Sequence, residues 1–332
     1  MSILAESRRW LSSPLRNTAA RGLIRQGGIY LAVVFLMLIA GLFSPQFLST
    51  NNLSNILRQS AALGIVGIGQ TIVMISGGFD LSVTAVMQLV TVMVAEISRG
   101  RDDLLLPSIL ACLFMGVVIG TINGTIIAKR RTSSFMITLA VAMIVTGARL
   151  VYTRATPSGT LPAGLRPLSQ GQFLGLPFSV ILYLGLTLLA SIILRHTTFG
   201  RMLYATGANP EAARLSGVPI ASLRVTVFAI SGFLASLAGL VLAAYIGYID
   251  QWLGGGYDLD SIAAAAIGGV SLVGGKGGVW GTLAGVLLIR MLMNFVVVVG
   301  LPVEYQFVVR GATVILAVAL YSVRLQGGPE RR

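Results

Sequence analysis

RHTTFGRMLYATGANPEAARLSGVPIASLR, residues 195–224, is the longest polar interruption in a chain otherwise built from apolar runs. Within it, Asn209-Pro210-Glu211 reads as a helix start. Asn offers a capping oxygen, Pro suits the first helical position, and Glu favours the positive end of the dipole. Gly217 reads as the residue just past the helix end, with Pro219 blocking continuation. The helix so bounded has about two turns, on the order of 10 Å at 1.5 Å per residue. It is too short to cross a bilayer and too short to persist alone, so it implies a partner surface.

Outward from this stretch, composition sets the class. The 332 residues are 55% hydrophobic and only 11% charged, less than half the charged share of about 25% in soluble domains. Apolar segments fall at about 29–44, 61–76, 81–97, 104–127, 135–152, 173–194, 225–248, 261–273, 278–299 and 304–322. The expected fold is all-α, a polytopic membrane protein with about ten transmembrane helices. Residues 29–323 form the transmembrane domain, with 195–224 as its polar loop, between tails at 1–28 and 324–332.

A net charge of +13 would point to nucleic acid in a soluble chain. Here loop Lys and Arg set topology instead, and no nucleic-acid partner is expected. With the N-terminus inside and every segment crossing, the inside loops hold sixteen basic residues. The outside loops hold five, Arg58, Arg99, Arg101, Arg154 and Arg166, and Arg149, Arg290 and Arg310 fall within spans. Both termini and the loop 195–224 then face the cytoplasm. The basic, Ser-containing N-terminus admits a transit-peptide reading, which the charge distribution disfavours.

The single Cys112 allows no intrachain disulfide or thiolate cluster, and the single His196 allows no multi-His metal site. No catalytic residue set is visible. Nor is a nucleotide site: Gly269 to Lys276 fails the Walker spacing, and Gly64, Gly67 and Gly69 are not in the dinucleotide-binding order.

Glycines break two spans. Gly77-Gly78-Phe79-Asp80-Leu81-Ser82 parallels Gly255-Gly256-Tyr257-Asp258-Leu259-Asp260. The first opens the third span from inside and the second opens the eighth from outside, the offset of a five-plus-five inverted repeat. Segment 261–273 reaches spanning length only if it begins within residues 254–258. Asp80 has two readings: a gate at a broken helix together with Gly77, Gly78 and Ser82, or an N-cap of the third span. Asp258 and Asp260 have the same pair of readings at the outer face, where a soluble binding protein would dock. Gln70 and Asn123, with Thr71, Gln88, Thr138 and Asn294, either line a path for a neutral hydroxylated solute or bridge helices. Arg290 and Arg310 have no evident partner, and Glu304 is off-phase with Arg310 on a helix face.

Glu211-Ala212-Ala213 with Gly217 after three further residues matches the EAA-x3-G pattern of ABC importer permeases. Together with Thr198-Phe199-Gly200-Arg201, Ala208-Asn209 and Val218, the loop resembles the branch importing ribose, related monosaccharides and sugar-like autoinducers. Matching blocks recur in order at Ser76–Val83, Asn123-Gly124 and Gly268–Gly277, from about residue 60 to 320. Departures are Thr84 where that branch usually has Gly, Ser133 where Pro is usual, and Arg290 within a span.

The resemblance implies the permease subunit of an importer for a monosaccharide or similar neutral polyhydroxy solute, in the bacterial inner membrane. Its implied partners are cytoplasmic ATPase subunits, a second permease subunit (identical or paralogous), a soluble sugar-binding protein outside, and membrane lipid. ATP would sit on the ATPases, with no cofactor on this chain, and coupling would run through Arg201, Asn209, Glu211, Ala212, Ala213 and Gly217. The rival is an ion-coupled secondary transporter of small polar solutes, which also uses broken helices and would need carboxylates such as Asp80 and Glu96.

Overall fold

The computed structural model describes residues 15–130, 132–156, 159–250 and 252–326. Most of the two expected tails (residues 1–14 and 327–332) and Arg131 of the basic loop lie outside the described residues. The chain is an all-α bundle. Its helices are α1 (Leu15–Phe43), α2 (Thr50–Ile75), α3 (Val83–Ser98), α4 (Leu105–Arg130), α5 (Ser134–Thr153), the short α6 (Pro167–Gln170) and α7 (Phe178–His196). Then come α8 (Thr198–Ala208), α9 (Pro210–Leu215), α10 (Ile220–Ile246), α11 (Tyr257–Ile267), α12 (Val279–Val298) and α13 (Tyr305–Gln326). A two-residue hairpin, β1 (Gln172–Phe173) against β2 (Leu176–Pro177), is the only sheet among the described residues.

Six of these helices, α2, α4, α5, α7, α10 and α12, are long and apolar enough to cross a bilayer. Each of the ten apolar segments overlaps a helix, but α3 and the apolar parts of α1 and α13 are shorter. Helix α11 has 11 residues, about 16 Å at the helical rise and half a bilayer core. It does begin near the glycines, at Tyr257, yet it stops at Ile267 rather than reaching 273. Helix α1 starts at Leu15, inside the expected tail, because its charged first turns hide a helix from a hydropathy reading.

Helix α2 is the axis. Every residue from Ser60 to Ile75 is buried, the pattern of a helix apolar all round and enclosed by others. The ring of Tyr183 on α7 fills the space where Gly64 has no side chain, and Thr71 meets Thr282 of α12 hydroxyl to hydroxyl at 2.6 Å. Helices α4 and α10 approach most closely. A Cβ on Gly120 would lie 2.1 Å from the Phe228 carbonyl oxygen, and one on Gly232 would lie 2.1 Å from that of Gly116. Small residues allow this backbone-to-backbone contact, the means by which helices associate without a hydrophobic driving force between them. By contrast α5 exposes most of its apolar surface, including Met136, Met143, Ile144 and Val151.

The two glycine breaks are real interruptions. Residues 76–82, 247–250 and 252–256 are non-helical apart from turns, and α3 and α11 start directly after residues 82 and 256. Their starts meet: Thr84 Oγ1 accepts the Asp258 backbone N–H at 3.0 Å and donates to the Gly254 carbonyl at 3.4 Å. Two shortened helices, of 16 and 11 residues, thus meet at their starts.

Arg310 does have a partner, contrary to the sequence expectation. Its Nε donates to Asp260 Oδ1 at 2.8 Å, tying α13 to α11, and Asp260 is 1% exposed. The Arg290 guanidinium of α12 lies 4.4 Å from the centre of the Tyr257 ring. The half-helix α11 is therefore held from behind by two arginines. Asp260 so enclosed offers no surface to a docking protein in this conformation. Arg310→Ala leaves a buried carboxylate unpaired and is expected to cost about 3–5 kcal/mol, measured as a lowered thermal midpoint in detergent. Arg310→Met combined with Asp260→Leu should recover most of that loss; equal losses in both variants would contradict the pairing.

Candidate functional site

The polar stretch that dominates the sequence folds as two helices, not one. Thr197 caps α8 by accepting the Gly200 N–H, and Asn209 caps α9 by accepting those of Glu211 and Ala212 at 3.1 and 3.0 Å. Helix α9 closes as the residues predict. Gly217 has φ +81°, and the N–H groups of Ser216 and Val218 return to the carbonyls of Ala212 and Ala213. Ala213 packs inward while Glu211, Ala212, Arg214 and Leu215 face out, with Leu215 76% exposed. Arg214 is hydrogen-bonded to Glu211 on that face, and this bond, then the carboxylate's charge, holds the guanidinium above its ordinary range. Arg201 is also exposed, on α8.

This hairpin is wedged into the bundle through glycine. A Cβ on Gly207 would stand 1.8 Å from the Ile75 carbonyl oxygen and 2.5 Å from the Gly275 nitrogen. The last turn of α8 therefore presses directly on the end of α2 and on the loop that follows α11. Gly275 N–H itself donates to that Ile75 oxygen at 2.9 Å, and the Tyr204 hydroxyl donates to Gly277 O at 2.8 Å. Burial raises the Tyr204 phenol pKa, keeping it a donor. The first break thus reaches the hairpin through Ile75, and α11 reaches it through the loop 268–278 that follows it.

Beside the hairpin lies an open cavity of about 830 Å³. It brings together residues that the sequence placed in separate roles: Gly77 and Gly78 of the first break, and Glu211 of α9. Arg214, Arg224 and Phe228 also line it. Under its floor the break is stitched to α5: Ser134 Oγ accepts the Phe79 N–H at 2.9 Å, and Thr138 Oγ1 accepts that of Leu81 at 3.0 Å.

Asp80 lies within the break, fully buried. Its Oδ1 accepts the Ser82 N–H at 2.9 Å and the Ser82 hydroxyl at 2.6 Å, and its Oδ2 accepts the Ser231 hydroxyl of α10 at 2.7 Å. Asn123 of α4 donates to Ser82 Oγ at 2.9 Å. Asp80 thus binds the break to α10 and, through Ser82, to α4. It bonds no N–H of the first turn of α3, and Ser82 makes no side-chain cap. Among the other polar residues, Asn294 pairs reciprocally with Asn52, and Gln88 accepts from Arg149. Gln70 stands apart, buried, with neither amide atom bonded among the described residues.

Ser231, Ser134 and Gly207 were missed in the sequence. The spacing of Ser134 and Thr138, one helical turn apart at the start of α5, was the available signal for two of the stitching groups. Asp80→Leu would orphan the Ser82 N–H and two hydroxyls, each buried orphan costing about 1–3 kcal/mol. Asp80→Asn keeps one acceptor oxygen, and Ser231 can turn to accept. The expected order of thermal midpoints in detergent is wild type, then Asn, then Leu well below. Indistinguishable midpoints would contradict the network.

Comparison with known proteins agrees with this architecture. The family model for the permease component of branched-chain amino acid transport systems matches residues 52–318. The ribose import permease protein RbsC of Escherichia coli K12 is 37% identical over 293 residues, covering 87% of this chain and 91% of that protein. The probable ABC transporter permease protein YphD of the same strain is 35% identical over 298 residues, 89% of each chain. Its galactose/methyl galactoside import permease protein MglC is 34% identical over 320 residues, 91% of this chain and 95% of that one. No solved structure matches. A multi-pass helical bundle matched by one family model over most of its length, with full-length relatives above 30% identity, belongs to the family of transport-system permease components.

Proposed function

We propose that this chain is the membrane-spanning subunit of an ATP-driven importer for a monosaccharide or similar neutral polyhydroxy solute. The observation that carries the reading is the Gly207 wedge. It joins an exposed, capped helix, shaped for a partner, to the end of α2 and to the loop that follows α11. A force applied at α9 is passed to the first break and to the loop that follows α11 through backbone contact, with no soft side chain between. The relatives named for ribose and galactose import favour a sugar over an amino acid.

In this reading the ten apolar segments all cross or enter the membrane. Helices α3 and α11 are the broken members of a five-plus-five inverted arrangement. Residues 1–28 and 324–332 are tails on the cytoplasmic side of the bacterial inner membrane, as is the hairpin, in keeping with the excess of basic residues in those segments. ATPase subunits grip Glu211, Ala212, Arg214 and Leu215, and ATP is bound there rather than on this chain. A second permease subunit completes the path, and a soluble binding protein delivers solute at the opposite end. The 830 Å³ cavity is the inner vestibule, with Gly77 and Gly78 at its gate. Alternating access follows when hairpin movement shifts the balance between two packings of the breaks.

An ion-coupled transporter would place its ion at Asp80. Both carboxylate oxygens are already engaged by Ser82 and Ser231, which disfavours that reading. Glu211→Lys reverses the charge beside Arg214 on the exposed face of α9. It is expected to leave the protein inserted and folded while abolishing both co-purification of the ATPase and sugar uptake. Normal ATPase recovery and normal uptake with this variant would sink the proposal.

A further inference from the structure

At the other end of the bundle is a second polar group of side chains that the coupling machinery does not use. Helix α5 runs away from the cavity, and Arg149 is its sixteenth residue, roughly 22 Å along at 1.5 Å per residue. Trp252, six residues past the far end of α10, lies over Arg149. Arg149 is 1% exposed, and its Nη2 donates to Gln88 Oε1 of α3 at 3.2 Å. Its Nε and Nη1 meet no acceptor among the described residues. Buried guanidinium donors are ordinarily satisfied, so two unmet N–H-bearing nitrogens mark a place prepared for acceptors that come and go.

The covering group is Trp252, whose ring lies over the guanidinium with 5.8 Å from Cζ to the centroid. Trp252 is itself 61% exposed, so one side of a large aromatic ring is backed by a cation and much of the rest is open. The half-buried Asp250 accepts the Trp252 backbone N–H at 2.8 Å, and its charge is felt at Arg149. Donor, acceptor and aromatic plate are therefore assembled in one place.

We infer that Trp252, Arg149, Gln88 and Asp250 form an entry subsite for a neutral polyhydroxy ring. The apolar C–H face of such a ring stacks on Trp252 while its hydroxyl edge accepts from Arg149 and donates to Asp250 or Gln88. An anionic solute would meet the Asp250 carboxylate, a cationic one would meet Arg149, and an apolar one would leave the buried donors unmet. Rotation of the exposed Trp252 side chain opens the guanidinium to solute.

This inference rests on the sugar-importer reading, and the test separates the two. The complete importer, with its ATPase and binding protein, is reconstituted in vesicles and assayed with labelled ribose and galactose. Trp252→Ala is expected to lower uptake by about tenfold or more, with Trp252→Phe retaining most of it and the thermal midpoint unchanged in both. In a second measurement, Trp10 and Trp280 are replaced by Phe so that Trp252 alone emits. The transported sugar should then shift its emission and shield it from acrylamide. If wild-type vesicles carry neither of these sugars nor any other neutral polyhydroxy solute, the importer reading fails and this inference with it. If they carry one, and Trp252→Ala carries it at the wild-type rate or the sole-tryptophan protein shows no shielding, the subsite is wrong and the importer reading stands.

Discussion

A peptide chain that leaves the helical conformation inside an apolar bundle must find partners for its own N–H groups. In this protein that constraint is met at residues 76–82, where Ser134 and Thr138 take the Phe79 and Leu81 N–H groups and Asp80 takes that of Ser82. Without these acceptors the break would expose backbone donors to a medium with no water, at several kcal/mol each. The buried carboxylate is tolerated for the same reason. Three hydrogen bonds from Ser82 and Ser231 replace its hydration, and the cost of burying it is set against a chain that could not otherwise turn.

With the break secured, the remaining geometry follows. Helix α3 starts part-way through the bundle, and so does α11 from the other end. Thr84 joins their starts through Asp258 and Gly254. Behind α11, Arg310 and Arg290 hold the half-helix against α13 and α12. Below the break, Gly207 lets the hairpin touch the end of α2 without an intervening side chain. Contacts therefore run from an exposed two-turn helix to the first interruption and to the loop that follows α11, with a cavity at one end of the bundle and an aromatic plate at the other.

The legible parts of this arrangement were those written locally. Asn209-Pro210-Glu211 and Gly217 specify α9 because caps and turns are decided by residues within a few positions of each other. The two Gly-Gly-aromatic-Asp breaks were visible for the same reason, and the apolar runs marked each helix. The hidden parts depend on distant segments meeting. Helix α8 is the least apolar of the longer helices, so it reads as loop beside the hydrophobic spans. The partner of Arg310 is fifty positions away on α11, beyond any helical spacing rule. Asp260 reads in sequence as a gate or cap at the outer face, and it is enclosed and paired with Arg310. Ser231 is one small hydroxyl in a 27-residue apolar helix, and nothing local marks it as the second hand on Asp80.

In the proposed function this chain is a conduit without an engine of its own, moved through α9 by a partner that hydrolyses ATP. The most direct measurement is sugar accumulation against a gradient in vesicles containing the purified chain with its binding protein, with and without the partner ATPase. Accumulation should occur only when both ATPase and ATP are present, and should persist when ion gradients are collapsed. Uphill accumulation by the chain and binding protein alone, or its loss on collapse of an ion gradient with ATP intact, would contradict the account.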